Sequence, residues 1–259
     1  MQSALIFDCD GVLADTELDG HLVAFNQTFG EFGYGFTWTP QEYRELLKVG
    51  GGKERMLAYA IQHPELDFLG TKPDLVVKEL HKRKSELYVE LVEAGALPAR
   101  PGIRRIIHEA LEAGWQVAVA STSALESVTA VLRAVTDPAD FARVSGIFAG
   151  DVVPAKKPAP DIYLLAAREL GLNPEGIVVV EDSESGAKAA ANAGLRHLVT
   201  VSYFTGEDPF PAASTVVSSL GDPQHPAQLL AGADVRDPAT LMVTVASLEQ
   251  ILALPVGGQ

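Results

Sequence analysis

The sequence predicts an α/β fold: a Rossmann-like parallel sheet core interrupted after its first strand by an inserted α-helical cap. Three observations predict it. Apolar runs recur that stop on polar groups: Ala4-Leu5-Ile6-Phe7 on Asp8-Cys9-Asp10-Gly11, Gln116–Ala120 on Ser121-Thr122-Ser123, and Ile177–Val180 on Glu181-Asp182. Strand and helix patterns alternate from Pro101 onward, which is the signature of a parallel sheet. Between them, residues 15–92 carry a helical period only.

The elements follow in order. The first strand spans about residues 4–8, and Gly11 lets the chain turn away. Leu18, Leu22, Phe25, Phe29 and Phe32 then recur at steps of three and four, giving one apolar helix stripe. Val76, Leu80, Leu87 and Leu91 make a similar stripe. Pro101 and Gly114 bracket a helix in the expected asymmetry. Further strands are expected near 117–121, 147–150, 177–181 and 198–201, and Gly171 and Gly194 sit where helices should stop. The expected division is 1–14 and 95–259 for the core and 15–94 for the cap, with hinges near 11–16 and 93–100. Beyond residue 205 the pattern thins. Thr215-Val216-Val217 suggests an added edge strand, and Leu241–Val245 another before a last helix. Residues 219–240 read as a loop-rich excursion without chemistry.

Composition narrows the function. The chain has 259 residues, 47% hydrophobic and 21% charged, which is globular. No apolar run approaches the ~20 residues of a membrane span. A formal net charge of −14 disfavours nucleic acid, whose phosphates select Lys and Arg. It also means that local cations or a metal must draw in an anionic substrate. Cys9 stands alone, so no disulfide forms within the chain. The histidines lack zinc-site spacing. These features lead us to expect a cytoplasmic monomer, or a protein of the plastid stroma if a transit peptide has been removed, with no membrane or nucleic-acid partner.

The strand ends carry the chemistry. Asp8 and Asp10 face the same side of an extended chain. Two acids that close are costly without a cation beside them. They suit a metal site, a nucleophile with an acid/base partner, or both; the plain alternative is a strand end with solvated acids. Lys157 precedes a proline-led helix start in Lys156-Lys157-Pro158-Ala159-Pro160, while the adjacent Lys156 reads as a solvated surface lysine. Glu181-Asp182 could equally be a helix N-terminal acid pair, and Ser121 or Thr122 a helix N-cap. In open parallel sheets, however, this carboxyl edge is where ligands bind.

Together, Asp8-x-Asp10, Ser121/Thr122, Lys157 and Glu181-Asp182 resemble the four motifs of the haloacid dehalogenase superfamily of phosphohydrolases, from residue 4 to about 205. Asp15-Thr16-Glu17, His21, Phe25-Asn26-x-Thr28-Phe29, Tyr43-x-Glu45-Leu46-Leu47 and Gly50-Gly51-Gly52-Lys53-Glu54-Arg55-Met56 resemble its CbbY-like subfamily. So do Phe148–Pro154 and Gly221-Asp222-Pro223. Characterised members of that subfamily are xylulose-1,5-bisphosphate phosphatases. The resemblance implies a Mg²⁺-dependent sugar-bisphosphate phosphatase of carbohydrate metabolism. Asp8 would be the nucleophile, Asp10 the acid/base, Ser121 and Lys157 the phosphoryl-binding pair. Asp8, Asp10 through its carbonyl, Asp182 and Glu181 would gather around the metal.

The substrate, a small phosphorylated sugar, would be chosen by the cap. Gly50, Gly51 and Gly52 before a helix near Lys53 could cradle an anion on free amides, or be a plain turn. Glu17 and His21 could bind sugar hydroxyls. Lys53, Tyr43, Arg55 and His81 are further candidates, Lys53 and Arg55 to grip a second phosphate, with Thr122 and Ser123 at the core strand end. Two other readings compete. A phosphosugar mutase resembling β-phosphoglucomutase has the same core with a sugar as acceptor. A phospho-receiver without turnover would use an Asp, a Ser/Thr and a Lys, but the inserted segment and Asp10 argue against it.

Overall fold

The computed structural model describes residues 2–256. Its central sheet contains β1 (Ala4–Phe7), β2 (Gln116–Ser121), β3 (Gly146–Ala149), β4 (Ile177–Glu181), β5 (Arg196–Thr200), β6 (Thr215–Val217) and β7 (Leu229–Gly232). The order across the sheet is β3-β2-β1-β4-β5-β6-β7; all neighbours are parallel except β6 and β7. The inner strands are apolar on both faces because helices cover both. Leu5, Phe7, Val117, Val119, Val178 and Val180 enter one buried cluster, and Ala4, Ile6, Ala118, Ala120, Ile177 and Val179 enter the other.

This order places the site. β1 lies between β2 and β4, with Phe7 opposite Val119 on one side and Val180 on the other. The residues just past that row are Asp8, Ala120-Ser121 and Glu181. They meet where the winding of the sheet reverses, the crevice that ligands favour in open α/β sheets.

Residues 15–94, after β1, form a helical insert: a π-helical turn (Glu17–His21), α1 (Leu22–Glu31), α2 (Pro40–Leu46), α3 (Gly52–Gln62) and α4 (Pro73–Glu93). The insert has its own aromatic cluster, including Phe25, Phe29, Trp38, Tyr43, Tyr59 and Phe68. Both apolar stripes point inward over most of their length, although Phe32 is exposed. The crossovers touch each other: Ala14 bridges Ala99, and Arg100 N–H donates to Leu13 O at 3.0 Å. The core helices are α5 (Ile103–Glu112), α6 (Leu125–Val135), α7 (Pro138–Phe141), α8 (Asp161–Leu170), α9 (Glu184–Asn192) and α10 (Val245–Ala253).

The far end differs from the sequence reading. β6 is present, but β7 covers its outer edge. β7 lies inside the segment read as loop; its four residues are mostly exposed and carry no alternation to reveal them. No strand occupies Leu241–Val245. Leu241 turns at φ +54, Val243 N–H reaches Leu220 O, and Thr244 caps α10 through Ser247.

Candidate active site

Asp8 leaves β1 with its N–H bound to Val180 O, so its carboxylate stands beside the tip of β4. Lys157 Nζ donates to Asp8 Oδ1 at 2.7 Å, to Glu181 Oε1 at 2.6 Å and to Ala120 O at 3.0 Å. Tyr163 OH also donates to Glu181 Oε1, while Glu181 Oε2 accepts from Asp182 N–H. Glu181 is fully buried, yet both its oxygens have partners. Burial pushes the Asp8 carboxyl up to about 7; Lys157 opposes this, and Glu181 and Asp10 add to it. Burial also pushes Asp182 well above the carboxylate range, reinforced by Glu181 and Asp8. Burial would lower the Lys157 ammonium, but Asp8 and Glu181 hold it well above its ordinary value.

Asp8, Glu181 and Asp182 each place a carboxylate oxygen within 4.8 Å of the others. Their mutual repulsion and all-oxygen donor set fit a hard divalent cation. The free lone pairs belong to Asp8 and Asp182, since Glu181 is occupied. A cradle supports the fit: a Cβ on Gly11, whose φ is +73, would fall 2.1 Å from Asp182 Oδ2. Arg100 pins this turn from behind. Its guanidinium donates to the carbonyls of Gly11, Thr200, Val201 and Ser218 and lies 3.3 Å from Asp15 Oδ1.

Asp10 belongs to a second network. Thr16 Oγ1 and His21 Nε2 reach its Oδ1 at 2.5 and 2.9 Å, and Ser123 Oγ reaches Oδ2 at 2.5 Å. His21 Nδ1 lies 2.7 Å from Lys84 Nζ. An ammonium only donates, so Nδ1 accepts and Nε2–H donates to Asp10. Burial alone would raise the Asp10 carboxyl; His21, Ser123 and Thr16 overrule it and hold Asp10 far below the usual range. Burial lowers the Lys84 ammonium to about 8. Its Nζ sits 4.8 Å from the Phe25 ring centre and 5.0 Å from that of Tyr88.

A third group comes from the insert. Tyr43 OH donates to Glu17 Oε2 at 2.5 Å and accepts from Arg55 Nη1 at 3.0 Å. Gly50, Gly51 and Gly52 line the same cavity at the start of α3, where helix amides are free. Asp8, Asp10, Glu17, His21, Arg55, His81, Ser121, Thr122, Ser123 and Lys157 line it as well. At about 140 Å³ it takes a small metabolite, not a polymer.

Several residues stand elsewhere than the sequence suggested. Tyr43 does not line the cavity; it is fully buried and holds Glu17 and Arg55. His21 lines it, but both ring nitrogens are engaged with Asp10 and Lys84, leaving none for a sugar hydroxyl. Lys53 bonds Asp151 Oδ2 at 2.6 Å and lines a neighbouring cavity instead. Lys156 is no solvated lysine: its side chain is only 20% exposed and bridges Glu54 and Asp151. The sequence reading missed Thr16, Lys84, Tyr163, Arg100 and Phe204. Lys84 hides in His81-Lys82-Arg83-Lys84, a charged run that reads as a solvated face. Its phase with Leu80 and Leu87 was the available signal.

Comparison with known proteins agrees with this geometry. The model of haloacid dehalogenase-like hydrolases matches residues 2–194. The CBBY-like protein of Arabidopsis thaliana is 47% identical over 229 residues, 86% of this chain and 70% of that protein. Protein CbbY of Cereibacter sphaeroides is 41% identical over 222 residues, 86% of this chain and 94% of that one. Among solved structures, CbbY from Rhodobacter sphaeroides in complex with phosphate superposes with a TM-score of 0.76 at 42% identity, covering 85% of this chain and 95% of that one. A mutant of the same protein in complex with xylulose-1,5-bisphosphate gives the same values. This chain belongs to the haloacid dehalogenase-like hydrolases, among their CbbY proteins, and is a phosphatase.

Proposed function

We propose that this phosphatase hydrolyses a sugar bisphosphate with Mg²⁺, and that its substrate is xylulose-1,5-bisphosphate, the Rubisco inhibitor, cleaved at carbon 1 to xylulose 5-phosphate. The observation that carries this reading is one cavity with two unlike ends. Asp8, Lys157 and the acids lie at one end, and Arg55, Lys84 and the α3 amides lie on the insert side. The related CbbY that binds xylulose-1,5-bisphosphate supports the choice of ligand. The helical insert, residues 15–94, acts as the substrate-choosing cap.

Asp8 Oδ attacks phosphorus and the bond to the sugar oxygen breaks, forming an aspartyl phosphate. Asp10 gives a proton to the departing alkoxide, then takes one from the water that releases phosphate. The His21 N–H fixes the Asp10 carboxylate in place for both transfers, with Lys84 setting the histidine tautomer. A phosphoryl dianion entering beside Asp10 raises its affinity for a proton, which offsets the pull of His21. Lys157 neutralises charge on the transferring group and favours the ionised form of Asp8 against its burial. Mg²⁺, held by Asp8, Asp182 and the Asp10 carbonyl, would supply further neutralisation of that charge. Glu181 keeps Lys157 in position.

Phosphate release from a panel of pentose and hexose mono- and bisphosphates tests the reading. Release from the bisphosphate should stop with EDTA and return with added Mg²⁺. Full activity in chelator, or an isomeric product in place of free phosphate, would contradict it.

A further inference from the structure

The loop after β5 carries an aromatic side chain away from the core and into the insert. Phe204 is 7% exposed and belongs to the insert's aromatic cluster, whose other buried members lie between residues 22 and 80. Its ring centre lies 6.0 Å from that of Tyr43, edge to face. The Arg44 guanidinium sits 5.9 Å over the same ring, reaches Tyr203 O at 3.5 Å and lies 3.8 Å from Glu207. Two flanking hydroxyls, Ser202 and Thr205, join Phe204 in lining the cavity. The loop is braced from within, since Ser202 N–H donates to Thr205 Oγ1 at 2.9 Å.

Phe204 therefore joins two environments. Its ring packs edge to face with Tyr43, the residue that holds Glu17 and Arg55. It also forms part of the cavity wall. We propose that Phe204 is a specificity-determining residue: a clasp from the core loop that seals the insert-side end of the cavity and fixes the Tyr43-Glu17-Arg55 group around the part of the ligand remote from Asp8. An exposed aromatic is unfavourable in water, so the ring stabilises the seated insert. The clasp matters little for a compact phosphate ester that ends near Asp8, and much for a ligand that reaches the insert. The claim rests on the phosphosugar reading above, but concerns a residue that lies apart from the reacting groups.

The test compares wild type, Phe204→Ala and Phe204→Leu on two substrates with Mg²⁺ present: xylulose-1,5-bisphosphate and p-nitrophenyl phosphate. Circular dichroism checks folding. For Phe204→Ala, kcat/KM on the bisphosphate should fall about 30-fold, the worth of one buried aromatic contact. The fall on the aryl phosphate should be smaller, so the ratio of the two drops about tenfold. Phe204→Leu keeps apolar bulk and should recover most of the ratio. If the alanine variant does not fold, Phe204→Val is read by the same ratio. Equal losses on both substrates, or an unchanged ratio, would overturn the proposal. If wild type does not hydrolyse the bisphosphate, the substrate reading has failed, and the clasp is judged by the same ratio on the phosphosugar that wild type hydrolyses best.

Discussion

Lys157 joins the chemistry to the fold at the level of single atoms. It bridges Asp8 and Glu181, two carboxylates that burial makes costly. Lys157→Met removes the cation and leaves both acids facing each other. Stability measured by urea unfolding should drop by about 3 kcal/mol, with turnover lost. The double variant with Asp8→Asn should lose less than the sum of the two single changes, because one of the stranded charges is gone. Asp8→Asn alone should abolish phosphate release with an unchanged circular dichroism spectrum; appreciable release would reject Asp8 as the nucleophile. Asp8 and Lys157 were legible in the sequence because each stands at the end of an unmistakable apolar run or beside a proline-led helix start. The partners of Asp10 were harder to see. Thr16 and His21 reach it from the start of the insert and Ser123 from beyond β2, while Lys84 acts on it only through His21, and only the packing of the insert brings that lysine in.

Two helices of the insert do most of the positioning. The N-terminus of α3 depends on Gly51, which adopts φ +98 and whose Cβ, if present, would lie 2.2 Å from Glu54 Oε2. Gly51→Ala should strain this turn and raise KM for the bisphosphate more than KM for a small aryl phosphate; equal changes would remove α3 from the binding account. Helix α4 delivers Lys84 into a buried place where its ammonium is lowered from 10.5 to about 8. Between those two values the unfolded chain holds a proton that the folded chain has released, so this residue makes stability rise with pH there. Below about 8 both states are protonated, and the cost of burying the charge is constant. Lys84→Met should flatten the rise, a difference between wild type and variant on the order of 3 kcal/mol across the window. Parallel stability curves from pH 7.5 to 10.5 would contradict the burial of a titrating lysine. The helical period of α4 was plain from Leu80 and Leu87, yet it could not say which cation of its charged run turns inward.

Across the whole molecule, the sheet brings distant segments to one edge and the insert covers them. That plan could be read from the sequence wherever strands were apolar on both faces, as in β1, β2 and β4. It failed where strands were short and exposed, as in β7, and where an apolar stretch served as a turn, as in Leu241–Val243. Phe204 escaped notice for a related reason: an aromatic in a Gly- and Pro-containing loop has no periodicity to mark it as part of a core. The proposed activity at this site is hydrolysis of a short bisphosphate chosen by stereochemistry. A site that hydrogen-bonds a substrate's hydroxyls discriminates strongly when the wrong isomer leaves its groups unpaired. The most direct measurement is the rate of phosphate release from xylulose-1,5-bisphosphate and ribulose-1,5-bisphosphate, each with Mg²⁺ under identical conditions. The account predicts a clear preference in kcat/KM for the xylulose compound; equal efficiency on the two, or a better rate with a hexose monophosphate, would contradict it.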